Sequence, residues 1–260
     1  MERFLQITDW VFDLDNTLYP SEHDLFAQVD QRMTAFIAET LDLDAVEARR
    51  LQKLYLRDYG TTLAGLMARH QMSPDAFLDF VHDIDVSVLP PDPELAGAID
   101  RLPGRKFIFT NGTRAHAERV AGQLGILHLF DDIFDIVSAN YVPKPHPDIY
   151  PSMLEQFSLE ADTTAFFEDL ARNLAPAHAL GMTTILIDPT GSGGSLPHID
   201  TGVQPTSPSD DPSDDPSDDR SDDRSDDPLA VVGTHYIHHS TADLRSFLKQ
   251  VDMHIADLSG

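Results

Sequence analysis

Short apolar runs rich in aromatic and β-branched residues punctuate the chain. They fall at 10–14 (WVFDL), 106–110 (KFIFT), 133–137 (IFDIV), 164–168 (TAFFE), 183–187 (TTILI) and 231–237 (VVGTHYI). Each has strand length and shows little alternation with polar residues, the pattern of a strand buried on both faces. Between most of them lie stretches of helical character, at 113–124, 147–157 and 171–180, with Gly125 and Gly181 placed as stops. Pro176 sits inside the last stretch, so its regular part is expected to start near Leu174, with the proline in the first turn.

Residues 21 to about 88 follow a different rule. Leu25, Phe26, Val29, Met33, Phe36 and Ile37 keep a helical repeat, as do Leu63, Leu66 and Met67, and then Phe77, Phe80 and Val81. No strand signal interrupts them. The reading is an α/β fold with a Rossmann-like parallel-sheet core, residues 1–19 and 91–260, carrying an all-helical subdomain at 20–90 between the first and second strands.

Composition adds one further segment. Residues 209–228 read SDDPSDDPSDDRSDDRSDDP, ten aspartates against two arginines, with flanks rich in Gly, Pro and Ser. Such a stretch buries nothing against its ordering entropy, so 190–228 is expected to be a disordered acidic insertion. The whole chain has 260 residues, 41% of them hydrophobic, and a net charge of −26. That charge argues against nucleic acid and anionic membranes as partners. It disfavours anionic small molecules too, unless a cation reverses the field locally. There is no cysteine, which excludes disulfides and thiolate chemistry. With no signal peptide and no membrane-length apolar run, the expected location is the cytoplasm.

Ligands of open parallel sheets bind beyond the carboxyl ends of the strands. There the sequence sets Asp13, Asp15 and Thr17 after the first strand, and Thr110, Asn111 and Gly112 after the second. Lys144 lies between two prolines after the third; Glu168 and Asp169 close the fourth, with Asn173 one turn on. Four carboxylates crowd together only if a cation neutralises some of them. A set of hard oxygen ligands without His or Cys suits Mg²⁺. Thr110, the backbone amides of Asn111 and Gly112, and Lys144 are donors of the kind that hold a phosphate. An aspartate can attack phosphorus, and a second carboxylate can protonate the leaving oxygen and then activate water. Asn173 is read as orienting a metal ligand or a loop. His235, His238 and His239 cluster near the last strand, either as a metal site or as strand-edge and surface residues.

Taken in order, "DLDNT" (13–17), "FTNGT" (109–113), "KPHPDIY" (144–150) and "FFEDLARNLAPAHALGM" (166–182) resemble the four signature motifs of the haloacid dehalogenase-like hydrolases. The resemblance implies Asp13 as nucleophile and Asp15 as general acid/base. It also implies Thr110, Asn111 and Lys144 as the phosphoryl cradle, and Asp13, Glu168, Asp169 and the Asp15 backbone carbonyl as Mg²⁺ ligands. Dehalogenases of the family lack the second acid of the first motif, so Asp15 points to phosphoryl transfer. The helical insertion is similar to the family's cap. "DLDNTLYP", "YGTTLAGLM" (59–67), "VHDIDVS" (81–87) and "ARNLAPAHALGM" (171–182) look like the pyrimidine 5′-nucleotidase branch. That implies a small phosphomonoester substrate, a pyrimidine nucleoside monophosphate, with Tyr59, Thr61, Thr62 and His82 near the leaving group. A phosphomutase, a small sugar or acid phosphatase such as one acting on phosphoglycolate, and a binding module that keeps the fold without catalysis are the alternatives.

Overall fold

A computed structural model of the chain describes residues 1–191 and 234–259. Strand β1 (Asp9–Phe12) is buried at every position. It is followed by helices α1 (Leu25–Leu41), α2 (Ala45–Tyr59), α3 (Thr62–His70) and α4 (Pro74–Val81), then α5 (Pro93–Asp100) and strand β2 (Arg105–Phe109). The chain continues through α6 (Arg114–Leu124), β3 (Asp132–Phe134), α7 (Ile149–Phe157), β4 (Thr164–Glu168), α8 (Ala171–Ala179) and β5 (Thr183–Ile187). It ends with β6 (His239–Thr241) and α9 (Leu244–Ser259). The strands form one parallel sheet in the order β3-β2-β1-β4-β5-β6.

The period of a strand divides the sheet's apolar side chains between two cores. Trp10 and Phe12 of β1, Ala165 and Phe167 of β4, and Ile185 and Ile187 of β5 belong to one face, with α5, α6 and α9. Val11, Phe107, Phe109, Phe166 and Leu186 belong to the other, under α7 and α8. Phe12 and Phe167 stack across neighbouring strands at 4.6 Å. The first core runs on into the helical insertion through Leu18, Tyr19, Leu25, Val81 and Ile84.

Register aligns the strand ends. Phe12 pairs with Ile108 on one side and with Phe167 on the other. The next residue in each strand, Asp13, Phe109 and Glu168, therefore falls on the same line at the sheet's carboxyl edge, and Asp13 N–H donates to Phe167 O at 2.9 Å.

Two elements differ from the sequence expectation. The last strand lies later than 231–237: among the described residues, 234–236 make a 3₁₀ turn and β6 starts at His239. Tyr236 packs into the core, whereas β6, on the sheet's edge, is the polar His-Ser-Thr. Helix α8 begins at Ala171 rather than near Leu174, so Pro176 lies inside it. Its first turn is tight, with Asn173 N–H donating to Leu170 O at 2.9 Å, and the missing proline N–H costs one interior bond. The acidic tract at 209–228, and with it most of the segment expected to be disordered, lies outside the described residues.

Helices α2 and α3 meet at Gly65. A Cβ built there would fall 2.3 Å from Cγ of Tyr55, whose ring is buried and whose hydroxyl bonds His70 Nε2 at 2.6 Å. Gly65→Ala gains ~1 kcal/mol of helix propensity but loses more to overpacking, ~1–3 kcal/mol. The net expectation is a lower denaturant midpoint than wild type; an equal or higher one would show that Tyr55 yields freely.

Candidate active site

Buried at the centre of the carboxyl edge, Lys144 Nζ lies 2.7 Å from Asp13 Oδ1, 2.7 Å from Glu168 Oε2 and 2.8 Å from Phe109 O. All three ammonium protons are thus engaged, and the side chain is 1% exposed. Burial alone would lower its pKa, but Asp13 and Glu168 outweigh that and raise it, so it stays charged. Asn111 holds the lysine backbone from both directions: its Nδ2 donates to Lys144 O at 3.3 Å, and Lys144 N–H donates to its Oδ1 at 2.8 Å. Both were expected to hold phosphate; here the Asn111 side chain fixes the lysine backbone, and the ammonium meets two carboxylates and a carbonyl.

Thr110 keeps the expected place. It is buried at the end of β2, and its hydroxyl oxygen accepts from Gly112 N–H at 2.9 Å, which leaves the hydroxyl proton to donate elsewhere. Asp13 is fixed through both oxygens, because Thr17 donates to Oδ2 at 3.0 Å.

Three carboxylates crowd together rather than four. Asp13, Glu168 and Asp169 present oxygens that all lie within 4.8 Å of one another. Lys144 meets two of them directly and Arg172 acts on Glu168 and Asp169 without a contact ion pair, so the three carboxylates still outweigh the cations beside them. Burial and the neighbouring Glu168 raise Asp13 to about 7, despite Lys144. Burial, Glu168 and Asp13 push Asp169 well above its usual range. Without a cation, then, this set takes up protons at ordinary pH. A divalent ion would supply the missing charge, and all-oxygen donors fit a hard one. Glu168 is the least available ligand, since Oε2 meets Lys144 and Oε1 accepts from Leu170 N–H at 3.2 Å.

Asp15 is turned away from that cluster. Tyr19 donates to its Oδ1 at 2.6 Å, and His116 Nε2 lies 3.0 Å from the same oxygen. Burial would raise this carboxyl; His116 and Tyr19 outweigh it and hold it below the usual range. Burial and Asp15 raise Tyr19 well above its usual value, so it remains a donor. His82, at the end of α4, stacks on His116 at 4.4 Å and 12°. Its Nδ1 lies 3.2 Å from Thr113 Oγ1, and burial lowers its pKa to about 3. Of the four insertion residues expected near the leaving group, His82 is seated here. Tyr59 packs edge-on to Tyr55 at 5.8 Å, Thr61 caps α3 by accepting from Ala64 N–H at 3.1 Å, and Thr62 is buried. The 59–62 turn approaches the site through Gly60 O, which accepts from Arg172 at 3.4 Å.

His116 and Tyr19 were not singled out by sequence reasoning. The available signals were local: Tyr19 stands four residues after Asp15, and His116 shares the buried stripe of Val120 and Leu124 on α6. Asn173 is buried, and its carbonyl accepts from Tyr150 at 2.7 Å. His238 Nδ1 accepts from Thr184 N–H at 3.1 Å and packs near His178. This neutral ring has a structural use, and among the described residues the acid triplet is the grouping with metal-binding geometry.

The profile of the haloacid dehalogenase-like hydrolases matches residues 11–181. Phosphate metabolism protein 8 of Saccharomyces cerevisiae is 30% identical over 193 residues, 67% of this chain and 60% of that protein. The chain thus spans less than two thirds of this relative. Glyceraldehyde 3-phosphate phosphatase of Methanocaldococcus jannaschii is 26% identical over 68% of this chain and 83% of its own. In fold, the chain is similar to the crystal structure of a HAD phosphatase from Thermococcus onnurineus. The TM-score is 0.58 at 16% identity, covering 94% of this chain and 98% of that one.

The raised Asp13 makes cation binding depend on pH. Its folded pKa of about 7 exceeds the ordinary 3.8, so protons compete below about 7 and this carboxyl's contribution to apo stability is lost as pH rises through that value. The thermal shift produced by a fixed Mg²⁺ concentration is expected to be larger at pH 8 than at pH 5.5. An equal shift at both would place the cation elsewhere.

Proposed function

Because the chain belongs to the haloacid dehalogenase-like hydrolases, we propose that it is a Mg²⁺-dependent phosphomonoesterase working through an aspartyl-phosphate on Asp13. The observation that carries the reading is the unequal pair at the end of β1. Asp13 is held through both oxygens beside a buried lysine, and Asp15 is held two residues on by Tyr19 and His116.

In this reading Asp13 attacks phosphorus in line with the ester oxygen. Thr110 donates its hydroxyl to a phosphoryl oxygen. As the P–O bond breaks, Asp15, ionised in the free protein, passes to the leaving oxygen the proton that the phosphomonoester monoanion brings in; the resulting carboxylate, which its partners favour, then takes a proton from water. That water attacks phosphorus, phosphate leaves, and Asp13 is restored. Asp13 and Asp169, with the backbone carbonyl of Asp15 and with Glu168 behind them, would hold the Mg²⁺, which when bound offsets charge on the phosphoryl group. Lys144 keeps Asp13 aligned and partly neutralised.

For the substrate we take pyrimidine nucleoside 5′-monophosphates first, on the resemblance of 59–67 and 81–87 and on the seat of His82 beside Asp15. The name of the archaeal relative favours a second reading, a three-carbon sugar phosphate. We infer a helical cap from the same family resemblance.

Phosphate release is measured over uridine, cytidine and adenosine monophosphates, glyceraldehyde 3-phosphate and phosphoglycolate, with Mg²⁺ or a chelator. Mg²⁺-dependent release with a pyrimidine preference is expected; a preference for the triose phosphate replaces the first substrate by the second. Asp13→Asn is expected to lose ~10³-fold or more in kcat. Wild-type turnover in that variant removes the nucleophile assignment, and an isomerised product in place of free phosphate would make the protein a mutase.

A further inference from the structure

We propose that His116 is a positioning residue for Asp15, holding the carboxyl by one oxygen so that the other faces the leaving group, and that His82 keeps the His116 ring in plane. This rests on the phosphatase reading above.

Both donors meet Asp15 on Oδ1, Tyr19 at 2.6 Å and His116 at 3.0 Å, and neither meets Oδ2. A carboxyl tied this way cannot exchange its oxygens without breaking two bonds. The tie comes from two directions: Tyr19 lies on the segment leaving β1, and His116 on α6 after β2.

Packing alone does not account for the imidazole. His116 is 1% exposed on the helix stripe that continues with Val120 and Leu124, where an aliphatic side chain would fill the space. Its Nδ1 is buried with no hydrogen-bond partner. Burying a polar ring with one nitrogen unpaired is unfavourable, so the bond from the other nitrogen to Asp15 is what its presence secures.

The ring is covered on one face and approached at its edge. His82 covers it at 4.4 Å with an interplanar angle of 12°, and Thr113 Oγ1 lies 3.2 Å from His82 Nδ1. Arg119 donates to the carbonyls of His82 at 2.8 Å and Ile84 at 2.7 Å, which fixes the end of α4 against α6. At the ring edge, a Cβ on Gly112 would come within 3.1 Å of His116 Cδ2, and it would also lie 3.6 Å from His82 Nε2. The glycine lets the second catalytic loop pass against both rings.

The chemical consequence concerns one proton. An alkoxide leaving group needs the proton of Asp15 Oδ2 as the P–O bond breaks, whereas a nitrophenolate leaves without it. Loss of positioning therefore separates the two ester classes, which a loss of general stability does not. The experiment measures kcat and KM for a simple alkyl phosphate and for nitrophenyl phosphate, using wild type, His116→Leu, His116→Gln and His82→Ala.

For His116→Leu the expected result is a fall of ~100-fold in kcat/KM on the alkyl ester and a fall at least tenfold smaller in kcat/KM on the nitrophenyl ester; this ratio reads ester cleavage and not the hydrolysis of the aspartyl-phosphate that both esters share. His116→Gln offers an amide N–H near the place of Nε2 and recovers most of the loss. His82→Ala repeats the pattern more weakly. If His116→Leu does not fold, the glutamine and His82 variants decide. Equal losses of kcat/KM on both esters, or folded His116→Gln no better than leucine, would overturn the proposal. No phosphate release by wild type from either ester strikes the phosphatase reading itself, a different failure.

Discussion

One ammonium group holds the carboxyl edge of the sheet together. The β1–β4 register sets Asp13 beside Glu168, both buried, and two such charges on adjacent strands are tolerated only with a positive group between them. Lys144 supplies it from the connection after β3, 2.7 Å from each. The loop after β2 holds that lysine's backbone through Asn111. Four connections, leaving four strands, therefore meet at a single nitrogen. The ion pair balances the three clustered acids incompletely, and the remaining negative charge is what a hard cation would offset.

The two aspartates that follow β1 show how environment divides labour between identical side chains. Asp13 lies among acids and is pushed up to about 7, whereas Asp15 lies among donors and is held low. Carboxyls driven apart in this way are suited to different steps. The sheet supplies the first environment. The second is assembled where the helical insertion leaves and rejoins it, from Tyr19, His82 and His116.

The central strands were legible in the sequence because burial on both faces writes them as unbroken apolar runs. Their ends were legible because a parallel sheet gathers its carboxyl termini on one edge, which made Asp13, Thr110, Lys144 and Glu168 a set before any contact was known. The edge strand β6 was not, because three polar residues at a sheet margin carry no hydrophobic pattern. Nor was the use of individual polar groups. Nothing local distinguishes an asparagine that binds phosphate from one that clamps a lysine backbone, as Asn111 does. His116 reads locally as a histidine on an apolar stripe; its meaning comes from Asp15, a hundred and one residues earlier in the chain. Thr61 illustrates the converse, a residue with a functional look that serves as a helix cap.

The insertion of helices α1 to α4 starts after Tyr19 and ends at His82, and each of these residues reaches Asp15, one directly and one through the stacked ring. The interior of the insertion can diversify in length and surface without touching the acid pair, while its two end residues cannot. This sets natural splice points. An exchange of the helical unit with a relative's would keep the proton-handling geometry if the joins fall between Tyr19 and His82, and would lose it if either residue travelled with the donor.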